Sequence, residues 1–442
     1  MTSVSSAPKK AGPVKLSKLE QDIIFHSNWI LALFVVLTLI STLYTGQNSL
    51  PDFSDLHRMV GLQSMNAAGF AGVFALFLAS RPTRDETGFV MLLALVFEIL
   101  YLQNLPAEMS WSARLLVSGG GLFVASMMGL AYRSFAAAYQ QDRWRARAMI
   151  RLALVIVFYP RFASLIFYGL NLLTPLAYDS HGLLVEGSLG FVPSLEMATW
   201  LAVRTGAEDF ANGVYSRLPL FMGIAFYLSL RYQRCSYANI YFGFLVAGLL
   251  GYVFYPMLPM VGIDDFLGIP PWPYGPVPSD FAIKPVAAPT NLPRTCYPSL
   301  HGGWILMIYF SVYRISRWVN AAFLFLVVWT LAATMAPVVG HYMIDLLPSF
   351  PFALGCMSLV TVGTPHNRNI RLRCAAFGFG STAVMALTIR WFPVFLANHP
   401  LLFWGASGGV VVASLWAERR LGNQTIAELA ELEVQGEGEA TS

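Results

Sequence analysis

Long apolar runs joined by short basic connections constrain this chain more than any other feature. Runs lie near 28–46, 61–80, 88–104, 113–133 and 149–175, and again near 214–232, 238–258, 301–316, 319–337, 342–362, 372–392 and 399–417. Several approach the ~20 apolar residues that a helix needs to cross a bilayer. Only helices and closed barrels satisfy their backbone in lipid, and barrel strands alternate with period two rather than run apolar. The pattern therefore predicts an all-α, polytopic helical membrane protein with about twelve transmembrane helices. Composition agrees, with 56% hydrophobic and 12% charged residues, where soluble domains average about a quarter charged.

Charge placement gives the expected orientation. With the N-terminus inside, the inner connections hold about 20 of the 28 Lys and Arg residues, among them Lys9, Lys10, Arg81, Arg143, Arg145, Arg147, Arg231, Arg234 and Arg314. No outer loop carries such a cluster. Both termini are then cytoplasmic, and an integral position in a bacterial plasma membrane is expected. Residues 1–27 read as a basic cytoplasmic tail. The first apolar run follows it and is long enough to span, so no cleavable signal peptide is expected. The Arg143–Arg147 cluster reads as a topology determinant that meets anionic lipid, and no nucleic-acid partner is implied. Four cysteines, Cys235, Cys296, Cys356 and Cys374, show no metal-ligand spacing.

The chemistry concentrates between Arg294 and Asp345. Pro298-Ser299-Leu300-His301 reads as a helix start, with Ser able to cap it and the exposed N–H groups able to hold an anion. His301 falls in the first turn, placed to give a proton to a leaving oxygen. One helical hairpin later comes Gly340-His341-Tyr342-Met343-Ile344-Asp345. Four residues apart on a helix, His341 and Asp345 share a face. The carboxylate can take the ring's Nδ1 proton and leave Nε2 free to attack. On the charge-based topology both segments face outward. The bland reading of His341 and Asp345 is a buried pair that locks two helices; ionisable groups in a membrane are costly and tend to be functional.

These residues resemble the second and third motifs of the type 2 phosphatidic acid phosphatase superfamily, and most closely its inositol phosphorylceramide synthase and sphingomyelin synthase branch. The resemblance implies a six-helix catalytic core over 148–365, with His341 as a nucleophile that becomes a phosphohistidine. Asp345 would orient it, His301 would serve as acid and then base, and Ser299 would contact phosphate. No cofactor and no metal is implied. The chain departs from the phosphatase pattern at two places. Its single Arg-Pro, Arg81-Pro82, lies far upstream, and Thr334 and Met335 stand where phosphatases carry Ser-Arg. The synthase branch also lacks those cations, which favours transfer over hydrolysis.

Around the core the expected divisions are an N-terminal bundle of about four helices at 28–147, a helix pair at 366–417 and an acidic cytoplasmic tail at 418–442. Arg294, Arg217 and Lys284 are candidate phosphate-binding cations, and Arg161 falls within an apolar run where an unpaired charge is expensive. The segment 178–205 reads as an amphipathic stretch along the interface, and the Pro-rich loop 256–298 as a lid or a compact outer loop. His57, His181 and His399 read as loop histidines. Glu98 reads as a hydrogen-bonding group between helices, and Gly119-Gly120-Gly121 as a site of close packing.

The function expected is transfer of a phosphate-containing headgroup from a lipid donor to a hydroxyl acceptor. The alternative is a lipid phosphate or polyprenyl diphosphate phosphatase. A transporter or scaffold is a third class; the halves show no evident repeat, and the motifs cluster at one surface rather than at the midplane.

Overall fold

The computed structural model describes residues 16–45, 64–103, 119–267, 283–288, 297–336 and 340–441. Arg294, Cys296, His57 and the Pro-rich part of the loop at 268–282 lie outside the described residues, as does the side chain of Arg161.

Five helices form the N-terminal part: α1 (Lys18–Thr45), α2 (Ser64–Ala79), α3 (Arg84–Gln103), α4 (Gly120–Ala136) and α5 (Gln140–Leu173). The next three are shorter: α6 (Asp179–Gly187), α7 (Pro193–Val203) and α8 (Ala207–Ser216). The central set is α9 (Leu218–Arg231), α10 (Ile240–Phe254), the short α11 (Ile263–Leu267), α12 (Leu300–Val312), α13 (Arg317–Thr334), the single turn α14 (Met343–Leu346) and α15 (Ser349–Val360). The chain closes with α16 (Arg368–Trp391), α17 (Pro393–Asn398) and α18 (Pro400–Thr441). One two-stranded antiparallel pair, β1 (Leu176–Ala177) with β2 (Val286–Ala287), pins the far part of the 256–298 loop beside α6.

Among the described residues five helical segments are long and apolar enough to cross a membrane, or six if the bent pair α8 and α9 counts as one. The protein is therefore a helical membrane protein, but length and apolarity do not reproduce twelve spans. Helix α12 illustrates why. It has 13 residues, about 20 Å of helix, against a hydrocarbon core of about 30 Å.

Helix α12 packs against α9, α10, α13 and α15, so its apolar surface is covered almost all round. The N-terminal helices join this core through α2, which lies along α9. Two glycines set that crossing: a Cβ on Gly223 would sit 2.8 Å from the carbonyl oxygen of Gly72. One buried apolar cluster runs from Leu19 of α1 to Leu421 of α18.

Three expectations change. Helix α6 is not an interfacial amphipath: Asp179, Ser180, His181, Leu183, Val185 and Glu186 are all buried, and His181 is helical rather than in a loop. The acidic segment expected as a tail at 418–442 is helical instead, because α18 continues through it to Thr441. Its Ala-Glu-Leu composition has high helix propensity. Glu418, where the polar segment starts, is buried. It accepts from Tyr237 Oη at 2.6 Å, Tyr313 Oη at 3.0 Å and Arg314 Nη1 at 2.9 Å. Within the basic cluster, Arg145 is a buried ion-pair partner, donating to Glu20 through Nε at 3.0 Å.

Glu98 does join helices. Its carboxylate accepts from the backbone N–H groups of Gly119 at 2.8 Å, Gly121 at 2.9 Å and Leu122 at 3.3 Å. Those are orphan donors at the start of α4, which in lipid have no water to turn to. Glu98→Ala should therefore lower the melting temperature in detergent, by about 1–2 kcal/mol or more in stability, and Glu98→Gln should restore part of it. Equal melting curves for all three proteins would refute the cap.

Candidate active site

Ser299 caps α12, its Oγ accepting from Gly302 N at 3.3 Å. A cis peptide bond joins Tyr297 to Pro298 just before it. His301 then occupies the first turn, as the sequence predicts. Its Nδ1 lies 2.9 Å from the hydroxyl of Tyr215, the two rings stack with centroids 4.2 Å apart, and Trp304 meets the imidazole edge-on. The other ring nitrogen, Nε2, is buried with no partner among the described residues.

The second motif follows α13. Gly340 adopts φ 64°, a left-handed conformation that glycine reaches without steric cost. It turns the chain so that His341 N donates back to Thr334 O at 2.9 Å. His341 is not on a helix; it precedes α14. The pair meets for a different reason from shared helical face. Asp345 sits in the first turn of α14 and folds back over the start of it. Its Oδ2 accepts from Tyr342 N at 2.9 Å and lies 3.5 Å from His341 Nδ1. That separation exceeds a formed hydrogen bond, and catalytic hydrogen bonds are often long before substrate binds. Both groups are buried.

The two motifs are bonded through their backbones. Ser299 N donates to Asp345 O at 3.0 Å. Ser349 Oγ, at the start of α15, donates to Ser299 O at 2.9 Å and also reaches Asp345 O at 3.2 Å. Each imidazole is thus held by a helix start, and the two starts are joined.

Two further carboxylates support the second motif. Asp179 accepts from Val261 N at 3.1 Å, Gly262 N at 2.9 Å and Tyr342 Oη at 3.0 Å. Glu186 accepts from Ile344 N at 3.0 Å and from Ser194 Oγ at 2.6 Å. Tyr342 and Ile344 flank the turn between His341 and Asp345, so α6 braces it from both sides. Burial pushes the Asp179 and Glu186 carboxyls up to about 7 each, against the pull of these donors, and the neighbouring Asp345 adds to the rise.

The candidate cations are less gathered. Arg217 lies two residues beyond Tyr215, with Nη1 donating to Gly213 O at 2.8 Å. Lys284 is exposed, and only its carbonyl is fixed, accepting from Ser180 Oγ at 2.9 Å. Ser299 is fully buried with its hydroxyl engaged in the cap. Thr334 and Met335 are buried and bring no cation to His341. Among the described residues no group of three or more His, Cys, Asp and Glu side chains is arranged to hold a metal ion.

Residues 183–359 match the PAP2 superfamily. That segment holds Glu186, Tyr215, Ser299, His301, His341 and Asp345. At this level the match supports a membrane lipid enzyme of phosphatase or phosphotransferase type, and it does not separate the phosphatase and synthase branches. No curated protein and no solved structure matches the chain.

In the sequence Asp179 and Glu186 interrupt an amphipathic stretch, and Asp179 reads further only as a candidate partner for Arg161. Their signal was present, because two acids in a largely apolar segment must find partners. Tyr215 carried none. The raised pKa values of Asp179 and Glu186 fix a sign. The folded protein keeps protons that the unfolded chain releases above about pH 4, so this stability is full below that pH and lost as pH rises through about 7. Melting temperature in detergent should therefore fall between about pH 5 and pH 8, and Glu186→Gln, neutral throughout, should flatten the fall. Parallel profiles for the two proteins would exclude Glu186 as a source.

Proposed function

We propose that this protein is a membrane phosphotransferase that moves a phosphate-containing headgroup from a lipid donor to a hydroxyl acceptor. The observation that carries the proposal is the backbone bond between Ser299 and Asp345. It brings a free-edged imidazole at one helix start beside an imidazole–carboxylate pair at another.

Asp345 holds the Nδ1 proton of His341, so the Nε2 lone pair attacks phosphorus. The bond from phosphorus to the departing alkoxide breaks as His301 delivers a proton from Nε2. The phosphohistidine is then attacked by an acceptor hydroxyl whose proton returns to His301 Nε2, and the phosphorus–nitrogen electron pair goes back to His341. Tyr215 is a positioning residue in this scheme. Its oxygen accepts from His301 Nδ1–H throughout, so that only Nε2 changes protonation. The helix N-terminus at Ser299 favours the charge on phosphate, with Arg217, Lys284 and Arg294 as candidate counter-charges.

Transfer is favoured over hydrolysis because a buried Met335 stands where phosphatases carry the Arg of their Ser-Arg pair. With an acceptor supplied, label from a phosphate-labelled lipid pool should move into a new lipid. Free phosphate released regardless of acceptor would make the protein a phosphatase instead. His341→Ala should lower either reaction at least about 10³-fold, and retention of substantial turnover would defeat the mechanism. Tyr215→Phe keeps the stacked ring and removes the hydroxyl. It should cost about 2- to 10-fold in kcat with KM little changed, and shift the pH profile of kcat. A change in KM alone would assign Tyr215 to substrate contact.

A further inference from the structure

The opposite end of α9 carries a second feature, unrelated to the reaction at His341. Helix α9 begins three residues after the tyrosine that bonds His301 and ends at Arg231, roughly 20 Å further on. There a cavity of about 760 Å³ opens between the end of α2, the loop after it, the end of α9 and the turn that follows. Its size lies within the range of small-molecule sites, about 300–1,000 Å³.

The cavity is amphipathic. Leu78 and Ala79 of α2 and Tyr227 and Leu230 of α9 form an apolar wall. The polar side holds Arg81, Arg231, Arg234 and Gln233. The charge of Arg81 is shared with Glu20 at 2.9 Å. Arg231 and Arg234 have no ion-pair partner among the described residues, and Glu433, from α18, is the single carboxylate in the lining. Arginines at helix ends also act as topology anchors, but an anchor needs no amphipathic cavity beside it.

We infer that this cavity binds one anionic phospholipid, its phosphate taken by Arg231 and Arg234 and its glycerol and upper acyl chains laid against the wall from Leu78 to Leu230. Two unpaired guanidiniums match phosphate oxygens. They repel the cationic head of a zwitterionic lipid. The apolar wall gives a soluble phosphate nothing to bury.

Cys235 supplies a reporter, because it lines the cavity and is partly exposed, while Cys356 and Cys374 are buried. In full-length protein carrying Cys296→Ser, maleimide labelling of Cys235 would be timed in detergent with dioctanoyl phosphatidylglycerol, dioctanoyl phosphatidylcholine or sodium phosphate. Phosphatidylglycerol should slow labelling at least about fivefold while the other two leave it unchanged. Arg231→Gln with Arg234→Gln should raise the half-protecting concentration about 10- to 30-fold. Equal protection by phosphatidylcholine, or none by phosphatidylglycerol, would overturn the site. Equal protection by sodium phosphate would overturn its assignment to a lipid.

Discussion

The hydrogen bond from Ser299 N to Asp345 O holds together what the rest of the molecule surrounds. Forty-odd residues of helical hairpin separate its ends, yet it fixes two helix starts against one another at the edge of an apolar core. Ser349 closes the joint by bonding both carbonyls. Backbone groups at such a place have no water to fall back on, so breaking this joint would strand donors and acceptors together. The relative position of the two imidazoles therefore follows from main-chain geometry, which side-chain fluctuation disturbs little.

Around that joint the fold adds stiffness in layers. Helix α6 lends Asp179 and Glu186 to the turn that carries His341. Helix α8 lends Tyr215 to His301, and α13 receives the His341 N–H at Thr334. Three of these supports come from segments far from both motifs in the chain. They act on the Tyr342 hydroxyl, on the Ile344 N–H and on His301 Nδ1, and leave His301 Nε2 clear.

The apolar runs made the helical membrane class legible, and the two His motifs made the site legible, since short-range spacing and charge placement carry both. The helix start at Ser299 and the hairpin between the motifs follow the sequence closely. What was not legible depends on long-range pairing. That His341 stands before its helix, and meets Asp345 by a fold-back, needs the φ of Gly340 and the Tyr342 N–H. Tyr215 is one aromatic among 19 tyrosines and is singled out only by where α8 comes to rest. The amphipathic pattern of 178–205 reads as interfacial, and in α6 that reading gives way because Asp179 and Glu186 find partners and are buried. The span expected at α12 is not reproduced by helix length, and apolarity measures how well a helix is covered as much as whether it crosses.

The clasp at Glu418 bears on how this protein divides. The PAP2-like segment ends at residue 359, which invites treating everything after it as an appendage. Yet Glu418 takes hydrogen bonds from Tyr313 and Arg314, which directly follow the helix that carries His301, and from Tyr237 just before α10. A chain cut before α18 would leave a half-buried guanidinium and two phenols facing each other without their acceptor. The segment that matches the superfamily and the segment tied together by these hydrogen bonds are therefore different lengths of the same polypeptide.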